Sequence, residues 1–183
     1  MHRKARVCFL LLAGVFALAV AGCPRTEARS STDAAGAQSS TGQSRVRAEA
    51  LLREVAAALC RQDRETLERL AVSDEEYRTR ILPGSVPPGE QWVAMPERKA
   101  DFFTRLHRTK SIYALSALLA ACPLGSLEFQ GVDLPQPEER AGYTLYRNPR
   151  LLFRDGGGAE VELRPGSVVV FEDKVKMLSY FAD

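Results

Sequence analysis

The chain has 183 residues, 45% of them hydrophobic, and carries 25 lysines and arginines against 23 aspartates and glutamates, a formal net charge of +2. That length holds one hydrophobic core, and a near-neutral balance does not mark a nucleic-acid surface. Of the two histidines His2 lies in a leading segment that reads as removed, so His107 alone remains and HExxH and multi-histidine metal sites are excluded; there is no P-loop, GxGxxG or GxSxG, so neither a metal nor a cofactor is expected.

His2, Arg3, Lys4 and Arg6 open the chain with positive charge, an apolar run from Val7 to Ala21 follows, and the run ends in Val20-Ala21-Gly22-Cys23. A spanning helix needs about 20 apolar residues, so this run reads as a cleaved h-region, the alternative being an uncleaved single-span anchor. Small residues before one cysteine resemble the lipobox of bacterial lipoproteins. The resemblance implies a signal peptide over residues 1–22, removed before Cys23, and acylation of the Cys23 thiol and of the new amino terminus. Two or more acyl chains hold a protein on a bilayer stably, so the membrane is the first expected partner. Enteric lipoproteins kept at the inner membrane usually carry Asp after the cysteine; Pro24 stands here, which implies the outer membrane, facing the periplasm. Losing Arg3, Lys4 and Arg6 with the signal takes the formal charge from +2 to −1.

Pro24 to Gln43 is rich in Ser, Thr, Ala and Gly and has no Leu, Ile, Val or aromatic residue. With Cys23 it reads as a flexible linker over residues 23–43, with an end-to-end distance of roughly 25 Å. Residues 44–183 are then one domain.

Val46, Ala50 or Leu51, Val55, Ala58 and Leu59 form the apolar stripe of a helix ending near Arg61. Asp63 is placed to cap a short helix burying Leu67 and Leu70, and Ser73 with Glu76 matches a capping box. Prolines and glycines from Pro83 to Gly89 enforce a loop. A long helix is expected from Glu97 to Ala121, presenting Phe102, Phe103, Leu106, Ile112, Tyr113, Leu115, Leu118 and Leu119 and stopping at Cys122-Pro123-Leu124-Gly125.

The period then becomes two. Leu127 and Phe129 are out of phase with Val132 and Leu134, which makes Gly131 a candidate bulge. Tyr143–Arg154 and Ala159–Arg164 read as strands joined at Asp155-Gly156-Gly157-Gly158, and Ser167–Phe171 with Val175–Phe181 as a second hairpin.

Helices followed by antiparallel strands give an α+β domain whose sheet packs one face on the helices. The leading amphipathic helix, the run Asp63-Arg64-Glu65-Thr66-Leu67-Glu68-Arg69-Leu70, the segment Ser73-Asp74-Glu75-Glu76-Tyr77 and the ending Val175-Lys176-Met177-Leu178-Ser179-Tyr180-Phe181 resemble the NTF2-like, or SnoaL-like, fold over about residues 46–183. The ending is also similar to the F-x-V-D-G-x-x-K-x-x-S-Y endings of a group of bacterial envelope lipoproteins, with Glu172-Asp173-Lys174 in place of the glycine turn. The NTF2-like resemblance implies a cone, a curved antiparallel sheet wrapped on a long helix around a pocket.

No catalytic residue is assigned. His107 lies among basic neighbours and is expected to be a solvated surface side chain. An enzyme of the implied fold would use Asp101 or Asp133 with Tyr77, Tyr113 or Tyr143. Trp92, Phe103 and Tyr113 are the candidate walls of a small-molecule pocket, or else fill the cone. Cys60 and Cys122 end the first and the long helix; in an exported protein they form a disulfide or remain two buried thiols. The function expected is that of a non-catalytic, membrane-anchored envelope protein whose domain binds an envelope protein partner or, alternatively, a small apolar ligand.

Overall fold

The computed structural model describes residues 32–86, 92–122 and 125–181. The signal peptide, Cys23 and Pro24 to Ser31 lie outside these residues, as do the end of the proline loop and Pro123 and Leu124.

The first helix, α1, spans Thr32–Cys60 and so begins well before Val46. Residues 32–43, expected as linker, continue this helix, and the chain divides between Ser31 and Thr32 instead of at 43/44. The physical reason is propagation: no proline stands between Thr32 and Leu82, and Ala34, Ala35 and Ala37 add to a helix already nucleated downstream. Leu52, Val55, Ala56 and Leu59 are fully buried along α1, whereas Val46 is exposed.

α2 spans Arg64–Leu70, with the Asp63 carboxylate accepting from the Thr66 N–H at 3.0 Å. A helical segment follows as α3, Asp74–Glu76, a π-turn over Tyr77–Ile81, and α4, Leu82–Gly84. The expected capping box closes α3: Glu76 N–H donates to Ser73 Oγ at 3.1 Å and Ser73 N–H to Glu76 Oε2 at 2.8 Å. The π-turn lies just before Pro83, which has no N–H to give the ladder. α5 spans Glu97–Ala121, the bounds the periodicity sets.

Among the described residues seven antiparallel strands form two sheets in place of one. β1 (Leu127–Asp133), β4 (Arg150–Asp155) and β5 (Glu160–Leu163) pair in the order β1-β4-β5; β2 (Glu138–Arg140), β3 (Tyr143–Tyr146), β6 (Val168–Val170) and β7 (Val175–Met177) pair in the order β2-β3-β6-β7. The register slips between Phe129 and Gly131, the bulge anticipated there. The glycine-rich turn also forms, with Asp155 Oδ1 accepting from the N–H groups of Gly157 and Ala159 at 2.9 Å each. The strand expected over Tyr143–Arg154 is broken at Arg147-Asn148-Pro149, because Asn148 takes a left-handed φ of 48° and Pro149 cannot donate to a ladder. The break sends β3 and β4 to different sheets.

Only the three-stranded sheet is one-sided as expected. On β4, Leu151 and Phe153 are buried and Leu152 faces out. In the other sheet every residue of β3 is buried. Tyr146, Val168, Val170 and Met177 join the main core with α1, while Tyr143, Leu145, Val169 and Phe171 pack with Ile81 and Tyr77 of the helical segment. No helix among the described residues is long and apolar enough to cross a membrane.

Candidate functional site

Three elements meet around a groove of about 640 Å³. The link from α2 to α3 forms one wall. It is held against β7 by a parallel bridge between Ala71 and Met177 and by the Val72 N–H donating to the Met177 carbonyl at 2.9 Å. His107, Arg108, Ser111, Ile112 and Leu115 of α5 form the facing wall, and Lys176, Leu178 and Tyr180 close the base.

Tyr180 organises that base. Its backbone N–H donates to Ser111 Oγ at 3.1 Å and its phenol donates to the Leu67 carbonyl, so the chain end is tied to both walls. Burial, with Glu68 and Glu54 nearby, pushes the Tyr180 hydroxyl well above the ordinary tyrosine range.

The rim is charged with both signs. Arg108 pairs with Asp74 at 3.0 Å, Lys174 with Glu76 at 2.6 Å, and Lys176 donates to the Arg69 carbonyl at 2.6 Å. Burial alone would raise the Glu76 carboxyl, but hydrogen bonds from Lys174 and from the Ser73 N–H outweigh it and hold the group below its usual range. Val72, Ile112, Leu115 and Leu178 supply an apolar lining between these charges. Such a groove is built to take a molecule or chain segment with an apolar body and polar ends.

His107 is half-buried, not the solvated side chain expected. Its ring stacks on Tyr77 with centroids 4.1 Å apart and meets the Phe181 ring edge-on at 5.7 Å. Ser111, one turn along, is buried on the same side of α5, a placement that basic sequence neighbours do not reveal.

Trp92, Phe103 and Tyr113, the pocket walls expected, are not part of this groove. Trp92 and Phe103 are half-buried, Tyr113 is 74% exposed, and none of the three lines the groove. The reason is helical phase: Tyr113 projects away from the face carrying Ser111 and Leu115. Asp101 and Asp133 are not brought together with tyrosines there either. Asp101 pairs with Arg78 and Asp133 with Arg150, both partly exposed, and neither they nor Tyr77, Tyr113 and Tyr143 line the groove. No cluster of three or more histidine, cysteine or acidic side chains among the described residues is arranged to hold a metal ion.

Cys60 and Cys122 are free thiols brought side by side at the ends of α1 and α5. Cys60 Sγ lies 3.7 Å from the Leu127 carbonyl, and burial, with Cys60 beside it, pushes the Cys122 thiol up to about 11. Between them Gln62, at a left-handed φ of 56°, donates its side-chain amide to the carbonyls of Leu119 at 2.9 Å and Cys122 at 2.5 Å. A polar residue just past a helix end is the only sequence signal of this clasp.

No family model matches the chain, and no curated protein or solved structure matches it.

Proposed function

We propose that the chain is a lipid-anchored protein of the bacterial cell envelope, held at the outer membrane facing the periplasm through Cys23, and that its α+β domain is a non-catalytic binding module of NTF2-like build. The positive start, short apolar run and Val20-Ala21-Gly22-Cys23 support the anchor. The groove between the α2–α3 link and α5 carries the binding reading, because its apolar lining and two-signed rim fit an amphipathic occupant, such as a partner's peptide segment or a lipid-derived small molecule. Neither a metal nor a cofactor is invoked.

The anchor is tested by Cys23→Ser, which should leave an unprocessed precursor and abolish labelling with palmitate. The groove is tested by recovering the chain from native membranes and identifying co-purified proteins by crosslinking and small molecules by mass spectrometry. Ile112→Glu, in the groove wall, should empty it, whereas Tyr113→Ala, on the outer side of the same helix, should not. An occupant that survives Ile112→Glu would place binding elsewhere.

A further inference from the structure

α5 is turned inside out over its first five turns. It buries Ala100, Thr104 and Ser111, small or hydroxylated residues, and leaves Phe102, Leu106 and Tyr113 in water. Phe102 is 56% exposed and Tyr113, as noted, still more so. At roughly 100° per residue these three side chains fall within about 40° of one another, a stripe about 17 Å long.

Charge is sorted around that stripe. Arg98 and Arg105 flank it on one side and Lys99 and Lys110 on the other, all exposed. Lys99 Nζ lies 6.0 Å from the Phe103 ring centroid and Lys110 Nζ 5.9 Å from that of Phe181, so their stems lie along apolar surface with the heads at its edge. Arg98 and Arg105 have no ion-pair partner among the described residues. Both acids of α5 sit away from the stripe: Glu97 falls on the far side of the helix, and Asp101 is taken up by Arg78.

We propose that this face of α5 rests on an anionic lipid bilayer, with Phe102, Leu106 and Tyr113 at the boundary of headgroups and acyl chains and the four cations on lipid phosphates. An apolar stripe alone would suit a protein partner equally. Cations on both flanks, with each carboxylate turned away, suit a surface that is negative throughout. The contact is distinct from the Cys23 anchor and from the groove, which faces the other side of the helix.

The test uses the full chain with Trp92→Phe and Phe102→Trp, reconstituted into vesicles with brominated acyl chains. One set is pure phosphatidylcholine and the other contains phosphatidylglycerol. Indole emission should be quenched and blue-shifted in the phosphatidylglycerol vesicles and restored by high salt. Arg98→Gln, Arg105→Gln and Lys110→Gln should each lower the docked-to-undocked ratio by about fivefold. Tyr113→Trp on the Trp92→Phe background repeats the readout at the other end of the stripe, should Phe102→Trp disturb folding. A chain that floats with both vesicle sets while both indoles stay unquenched keeps the anchor and overturns the docking. One that floats only with phosphatidylglycerol vesicles, quenched there, keeps the docking and overturns the anchor. Equal quenching in both sets overturns the anionic requirement. Concentration-dependent crosslinking through this face without quenching identifies a second copy as the occupant and overturns the proposal.

Discussion

Tyr180 donates its phenolic hydrogen to the backbone carbonyl of Leu67, joining the end of the described chain to α2 beneath the groove. The bond spans the base of the candidate site on its α2 side, while the Tyr180 backbone N–H separately holds Ser111 on the α5 side.

Tyr180→Phe is expected to destabilise the domain by about 1–3 kcal/mol, because the Leu67 carbonyl stays buried without its donor. It should also change the alkaline limb. The Tyr180 hydroxyl ionises at higher pH in the folded chain than in the unfolded one, so its contribution is complete below about pH 10 and is lost as pH rises through the folded value. Chemical denaturation from neutral to strongly alkaline pH should show wild type losing more stability than Tyr180→Phe. Parallel losses would show that Tyr180 ionises alike in both states.

Ser73→Ala should cost about 1 kcal/mol through loss of the capping box. Glu76, whose carboxyl is held low, stabilises the fold above the ordinary glutamate range, and that contribution disappears as pH falls through the folded value. Glu76→Gln should therefore flatten the acid limb of stability, which a urea series from neutral pH downward measures.

In an oxidising compartment Cys60 and Cys122 are expected to bond, with Cys60, the less buried thiol, meeting a disulfide oxidant such as oxidised glutathione first. Closing a loop of about 62 residues would stabilise by roughly 4 kcal/mol in the chain-entropy model. Alkylating the denatured, unreduced protein from the cell envelope should label neither thiol. Labelling of both would mean that the pair stays reduced there.

Gly166→Ala should destabilise by about 2–4 kcal/mol. Gly166 has a φ of 98°, and a Cβ there would lie 2.2 Å from the Ser179 carbonyl oxygen, so the backbone itself would have to move. Displacing Ser179 shifts its neighbour Tyr180, and thermal unfolding should show a clear fall in midpoint. An unchanged midpoint would mean that this approach relaxes without cost.

Local chemistry was legible in the sequence wherever one residue type has one geometric use. Asp63 and Ser73 cap where they should, Gly131 borders a bulge, the Asp155 turn forms a hairpin, and α5 keeps its bounds. The long-range arrangement was not, because periodicity identifies an apolar stripe without saying what it faces. In α5 the core takes the small side, where Ala100, Thr104 and Ser111 let the helix approach closely, and Trp92, Phe103 and Tyr113 stay outside the groove. The division of the strands turned on Asn148 and Pro149, two residues inside what reads as a continuous β-run.

Gln62 clasps the end of α5 to the end of α1 through the carbonyls of Leu119 and Cys122. The buried leucines of α5, Leu115 and Leu119, lie near this same end, while its first four turns bury only small side chains. The end of α5 is thus held by leucine packing and by the Gln62 amide, and its earlier turns by polar and ring contacts instead: Asp101 with Arg78, Arg108 with Asp74, and His107 on Tyr77.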